Sequence, residues 1–128
     1  HVVVIDDSLV RGTSSKAIIQ ALRRAGAKKI SMVITYPPIK FPCYAGIDFP
    51  SQEELATFSN GKDMTDEELT EMVRKSIGAD FLGYNDAENL AAAVGIPKDS
   101  MCFTCSSGNY DSLGITPEFK TRIEMKGE

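Results

Sequence analysis

Two adjacent carboxylates, Asp6 and Asp7, end an apolar run and open the turn Ser8-Leu9-Val10-Arg11-Gly12-Thr13-Ser14-Ser15. Hard carboxylate oxygens suit Mg2+ or the hydroxyls of a ribose. Gly12 lets backbone approach a ligand closely, and Thr13, Ser14 and Ser15 add hydroxyl donors ahead of a helix whose first N–H groups favour an anion. A monophosphate fits that half of the loop, because the carboxylates would repel it from the other. The G-x-x-x-x-G-K-S/T order of a P-loop is missing. The competing use of acidic residues at such a place is an Asx turn or a helix cap.

The second chemical feature is sulfur. The chain has three cysteines, Cys43, Cys102 and Cys105. An odd count argues against a disulfide framework and for reduced thiols or metal ligands. Cys102-Phe103-Thr104-Cys105 has the C-x-x-C spacing that lets two thiolates grip one metal or cluster. A thioredoxin-like redox pair would instead sit beside the first βαβ unit. Cys43 taken alone reads as a small buried hydrophobe. Three thiolates do not complete the usual four-ligand site.

These residues need elements to hold them. Val2 to Ile5 is a continuous apolar run of the kind buried on both faces of a parallel sheet. Ile18, Ile19, Leu22 and Ala25 recur at helical spacing, and Gly26 stops that helix. Ile30 to Tyr36 reads as a second strand, ended by Pro37-Pro38. Strand, loop, helix and strand make a βαβ unit, hence a parallel sheet. Ser51 with Glu54 predicts a capping box for a short helix, and Asn60-Gly61 a turn. Thr65 with Glu68 opens a better helix bearing Leu69, Met72, Val73 and Ile77. The acidic run Asp66-Glu67-Glu68 suits its first turn. Phe81 to Tyr84 is a third strand, and Asn85 a cap for a last helix through Val94, closed by Gly95 and Pro97. Periodicity ends at Lys98. The expected division is 1–97 as an α/β unit and 98–128 as an irregular tail with the C-x-x-C. Aromatic residues near Cys43 and Tyr84 read as core or rim.

Composition limits the partners. With 14 basic and 18 acidic residues in 128, the net charge of −4 offers no broad attraction for nucleic acid or anionic lipid. Apolar stretches fall short of a membrane span, and no secretory leader is expected. A chain that starts on a buried central strand is expected to be a fragment.

The run from Val3 to Ser15 resembles the PRPP-binding signature of type I phosphoribosyltransferases. Its Asp-Asp-Ser-x-Val-Arg-Gly-Thr-x-Ser form is similar to that of the amidophosphoribosyltransferases. The resemblance implies a partial type I phosphoribosyltransferase fold. It implies that Asp6 and Asp7 bind the ribose hydroxyls and help hold Mg2+, and that Val10, Arg11, Gly12, Thr13, Ser14 and Ser15 bind the 5-phosphate, with Ser8 inside the same PRPP loop. The segment Pro37 to Asp48 resembles the P-P-x-x-x-P-C-x-x-G-I-D of the iron–sulfur branch. Cys102-x-x-Cys105-x-x-Gly108-x-Tyr110 resembles that branch's second cysteine motif. The implied roles of Cys43, Cys102 and Cys105 are ligands of a 4Fe–4S cluster, with a fourth cysteine upstream. Ala45 and Ser106-Ser107 depart from the pattern without removing a ligand.

The activity so implied is conversion of PRPP, glutamine and water to 5-phosphoribosylamine, glutamate and pyrophosphate, the committed step of purine synthesis. Ammonia would come from an N-terminal glutaminase domain, in a cytoplasmic homo-oligomer, and the isolated chain would be inactive. Rival readings are a non-catalytic PRPP-binding regulator, a nucleobase salvage phosphoribosyltransferase and a zinc-stabilised interaction module.

Overall fold

The computed structural model describes residues 1–45, 51–58 and 63–115. The expected Asn60-Gly61 turn and the Gly46-Ile47-Asp48 end of the first cysteine motif lie outside them. Three parallel strands form one sheet in the order β1 (Val2–Asp6), β2 (Ile30–Ile34), β3 (Phe81–Tyr84). Helix α1 (Thr13–Arg24) connects the first pair, and α2 (Asp66–Ile77) lies between β2 and β3. Successive crossovers in one direction place both helices on one face of the sheet.

The period-2 alternation of the strands shows which face that is. Ile30, Met32, Ile34 and Leu82 are buried against Ile19 of α1 and Leu69, Val73 and Ile77 of α2, with Leu9 completing the cluster. The opposite face is uncovered. Val3 is 57% exposed and Ile5 70% exposed, so β1 is not buried on both faces. An apolar run shows that a strand has two apolar sides, but not whether each side meets a partner. Among the described strands β1 also forms an edge.

Local chemistry explains the helix ends. Thr65 and Glu68 form a complete capping box at α2, with Glu68 N–H donating to Thr65 Oγ1 at 3.2 Å and Thr65 N–H to Glu68 Oε2 at 2.9 Å. Gly78 closes the helix at φ +81°. The cap of α3 (Ala87–Val94) is Asp86, which accepts from Asn89 N–H at 2.7 Å, and not Asn85, whose Oδ1 accepts from Asp86 N–H. Either residue type can cap, and only the register of the first turn separates them.

Two other expectations change. Strand β2 stops at Ile34, because Thr35 and Tyr36 turn their N–H groups to the carbonyls of Asp6 and Asp7, both at 3.0 Å. Residues 51–58 form turns rather than a helix. Ser51 bonds Glu53, while Glu54 is drawn to Arg11. Beyond β3 the described chain adds α3, a helical turn at Lys98–Ser100, α4 (Thr104–Ser107) and a last turn at Asp111–Leu113.

Candidate functional site

The loop after β1 is held from three sides. Leu9 anchors it in the core at 2% exposure. Ala56 N–H donates to the Val10 carbonyl at 2.7 Å, and Arg11 pairs with Glu54 through Nε at 2.6 Å and Nη2 at 2.5 Å. Gly12 is the N-cap of α1 at φ +75°, a left-handed backbone that favours glycine. A methyl group there would stand 3.3 Å from Ile77 Cγ2 and 3.5 Å from Ala56 Cβ, so α2 and the 51–58 turns fix where α1 begins.

The result is a recess of about 290 Å3 lined by every residue from Asp6 to Ser15. All nine expected loop residues, Asp6, Asp7, Ser8, Val10, Arg11, Gly12, Thr13, Ser14 and Ser15, therefore meet around one space, joined by Leu9. Thr13 and Ser14 are exposed, whereas Ser15 is buried. No side chain caps α1, and its first turn carries no acidic residue. The α2 start, by contrast, has a side-chain cap and three carboxylates. An uncapped N-terminus directs N–H groups and positive dipole into the recess, as an anion requires.

The two aspartates each use one oxygen locally. Asp6 Oδ1 accepts from Asp7 N–H at 3.0 Å, and Asp7 Oδ1 accepts from Ser8 N–H at 2.7 Å. The turn role weighed for this pair is thus real. It engages Oδ1 in both residues, and the Oδ2 atoms are the oxygens suited to a hard cation or hydroxyl.

The cysteines come together from two segments. The Cys105 carbonyl accepts from the N–H groups of both Lys40 and Phe41, at 2.8 and 2.9 Å. Tyr110 is buried, and its hydroxyl donates to the Pro42 carbonyl at 2.6 Å. Gly108, at φ +74°, lies so close to Phe41 that a Cβ would stand 2.9 Å from its ring. The Gly-x-Tyr that follows the C-x-x-C therefore clamps it onto the segment leading to Cys43. Cys102 is exposed, while Cys43 and Cys105 are half-buried against Ile39 and Leu55. Burial pushes the Cys105 thiol up, the hydrogen bond with Tyr36 pulls it back, and the nearby Cys43 and Cys102 add to the rise. Ser106 Oγ is buried beside the Tyr36 hydroxyl, whose pKa it pulls down against the other influences.

Sequence reasoning missed Tyr36. Its hydroxyl lies 2.9 Å from the Cys102 carbonyl and 3.7 Å from Cys105 Sγ, and its ring stacks on Phe103. Burial, then the hydrogen bond with Cys105, push its phenol far up. The available signal was a tyrosine, which needs a partner for its hydroxyl when buried, directly before a proline pair. A larger recess of about 550 Å3 lies between α2 and the end of β3, lined by Asp66, Glu71, Arg74 and Tyr84 among others. Tyr84 Oη is buried there without a hydrogen bond among the described residues, and burial pushes its phenol up to about 12.

No family model matches the chain. Curated proteins do. The amidophosphoribosyltransferase of Mycobacterium leprae is 42% identical over 110 residues, covering 86% of this chain and 19% of that protein. The chloroplastic amidophosphoribosyltransferase of Glycine max is 41% identical over 126 residues, covering 98% of this chain and 20% of its own length. This segment belongs to the amidophosphoribosyltransferase family. It spans about a fifth of the length of the curated relatives it matches.

Solved structures of the family agree. The glutamine phosphoribosylpyrophosphate amidotransferase from B. subtilis, complexed with ADP and GMP, superposes with a TM-score of 0.70 at 37% identity, over 86% of this chain and 23% of that one. A structure described as the allosteric regulatory enzyme of purine biosynthesis gives 0.71 at 36%, with the same coverage. The α/β sheet is thus a partial phosphoribosyltransferase domain. No described helix is long and apolar enough to cross a membrane.

Proposed function

We propose that the chain supplies the ribose and 5-phosphate half of the PRPP site in an amidophosphoribosyltransferase. The whole enzyme would convert PRPP, glutamine and water to 5-phosphoribosylamine, glutamate and pyrophosphate. The observation that carries this reading is the recess lined by Asp6 to Ser15 at the uncapped start of α1. Thr13, Ser14 and the first N–H groups of α1 hold the 5-phosphate, and Gly12 sets their direction. Asp6 and Asp7 take the ribose hydroxyls and hold Mg2+. When bound, Mg2+ supplies charge neutralisation for the departing pyrophosphate. This chain's own contribution is orientation: it fixes the ribose so that C1 faces the incoming ammonia.

In the same reading residues 1–97 are the C-terminal part of the phosphoribosyltransferase domain, and residues 98–128 are the cysteine-bearing tail. Cys43, Cys102 and Cys105 hold a 4Fe–4S cluster with a cysteine outside this chain. The donor set is all thiol, which suits iron–sulfur chemistry. No group of three His, Cys, Asp or Glu side chains among the described residues is close enough to hold a single ion. Ammonia would arrive from a glutaminase domain outside this chain. Reduced cysteines fit the cytoplasm, and the intact protein would be a homo-oligomer.

Pyrophosphate release from PRPP, measured with ammonia or glutamine and the full-length protein, tests the activity. Turnover with either nitrogen source is expected, and the 128-residue chain alone should give none. A nucleobase acceptor in place of ammonia would overturn the reading in favour of salvage.

A further inference from the structure

We propose that Tyr36 is a positioning residue for the cysteine centre, its hydroxyl bridging the Cys102 carbonyl and the Cys105 sulfur and donating to that sulfur once it is a ligand. The inference rests on the cluster reading above. Three observations place the residue. Its hydroxyl oxygen is 2.9 Å from the Cys102 carbonyl oxygen and 3.7 Å from Cys105 Sγ. Its ring stacks on Phe103, inside the C-x-x-C, with centroids 5.7 Å apart and planes 22° apart. Its main-chain N–H is fixed to the Asp7 carbonyl at 3.0 Å, and Pro37 and Pro38 follow it.

A phenol has one proton, and the Cys102 carbonyl and the Cys105 sulfur both lie within its reach, with the Ser106 hydroxyl alongside. While Cys105 is a thiol, its S–H can donate to Tyr36 and the phenolic proton goes to the Cys102 carbonyl. Once Cys105 is a thiolate there is no S–H, and negative sulfur becomes the stronger acceptor, since charge-assisted bonds are roughly twice as strong as neutral ones. The hydroxyl can therefore serve either state without the ring moving. Two consequences follow. The C-x-x-C is held in its ligating arrangement before iron arrives. Hydrogen bonding to a ligand sulfur also favours the electron-rich reduced cluster, which raises its potential.

Tyr36→Phe in the full-length protein, purified without oxygen, is the test. It keeps the ring stack and the main-chain bond to Asp7, so the variant should fold, with a melting temperature lowered only by the loss of one hydrogen bond. Iron and sulfide content, reduction potential and cluster lifetime in air are then compared. The expected result is a lower potential and cluster loss faster by about 10-fold. An iron-loaded variant with unchanged potential and lifetime overturns the role of Tyr36 alone. Wild-type protein without iron and sulfide overturns the cluster reading, and this inference with it. A second measurement needs no variant: in wild type, exchange into D2O should shift an iron–cysteine stretch in the resonance Raman spectrum. No shift would also overturn the proposal.

Discussion

The N–H of Tyr36 donates to the Asp7 carbonyl at 3.0 Å, so one residue ties the aspartate pair to the cysteine centre. Its side chain reaches the C-x-x-C from the same position. The two chemical features of this chain, separated by 36 to 99 residues in sequence, are thus linked at the carboxyl ends of β1 and β2. That is where an open parallel sheet binds its ligands.

Gly12→Ala should disturb both stability and binding. The substitution forces alanine into φ +75° and brings its methyl group to 3.3 Å from Ile77. A left-handed non-glycine residue costs roughly 1–2 kcal/mol, to be read from denaturant unfolding. Because Gly12 aims the start of α1, phosphate-ester affinity measured by calorimetry should fall as well.

Ile77→Ala tests the support beneath that loop. Ile77 is 2% exposed, belongs to the main core and faces Gly12. Truncating such a residue costs about 2–5 kcal/mol. A fall in ligand affinity at temperatures where the variant is still folded would show that α2 positions the recess.

Glu54→Ala should change little. Glu54 and Arg11 form an ion pair whose side chains are 43% and 41% exposed. Exposed pairs contribute about 0–1 kcal/mol and are weakened by salt. A melting temperature close to wild type, at low and high salt, is the expected outcome.

Asp80 gives the fold a pH dependence. Its Oδ2 accepts from Ile30 N–H at 2.6 Å and from Arg23 Nη2 at 2.5 Å, and these bonds, the Ile30 one first, hold its carboxyl below the usual range. A depressed folded-state pKa adds stability above the unfolded value near 3.9, and that stability is lost as pH falls through the folded value. Asp80→Asn should therefore lower the melting temperature at pH 7 and differ less from wild type at pH 3.

Much of this architecture is legible in the residues. The Thr65–Glu68 box, the Gly95 stop and the apolar runs of β2 and β3 each specify their element locally. What sequence could not show depends on distant partners. Glu54 leaves its expected cap because Arg11, 43 positions away, attracts it. Val3 and Ile5 lie exposed because the packed helices share one face. The loop residues were recognisable as a motif, while the seat of Gly12 against Ile77 and Ala56 was not. Tyr36 escaped notice because its role depends on Cys102 and Cys105, far along the chain.

In the proposed PRPP site, Asp6 and Asp7 hold the ribose and its Mg2+ beside the phosphate loop. Calorimetric titration of PRPP with Mg2+ into the full-length protein, compared with Asp6→Asn/Asp7→Asn, tests it most directly. Asparagine keeps an Oδ1 that can accept the Asp7 and Ser8 N–H bonds, so the loop should persist. Losing hydrogen bonds to charged groups, worth about 1.5–3 kcal/mol each, should weaken PRPP by roughly 10-fold or more, with little change in melting temperature. Equal affinity in the folded double variant would show that the ribose and Mg2+ are held by other groups.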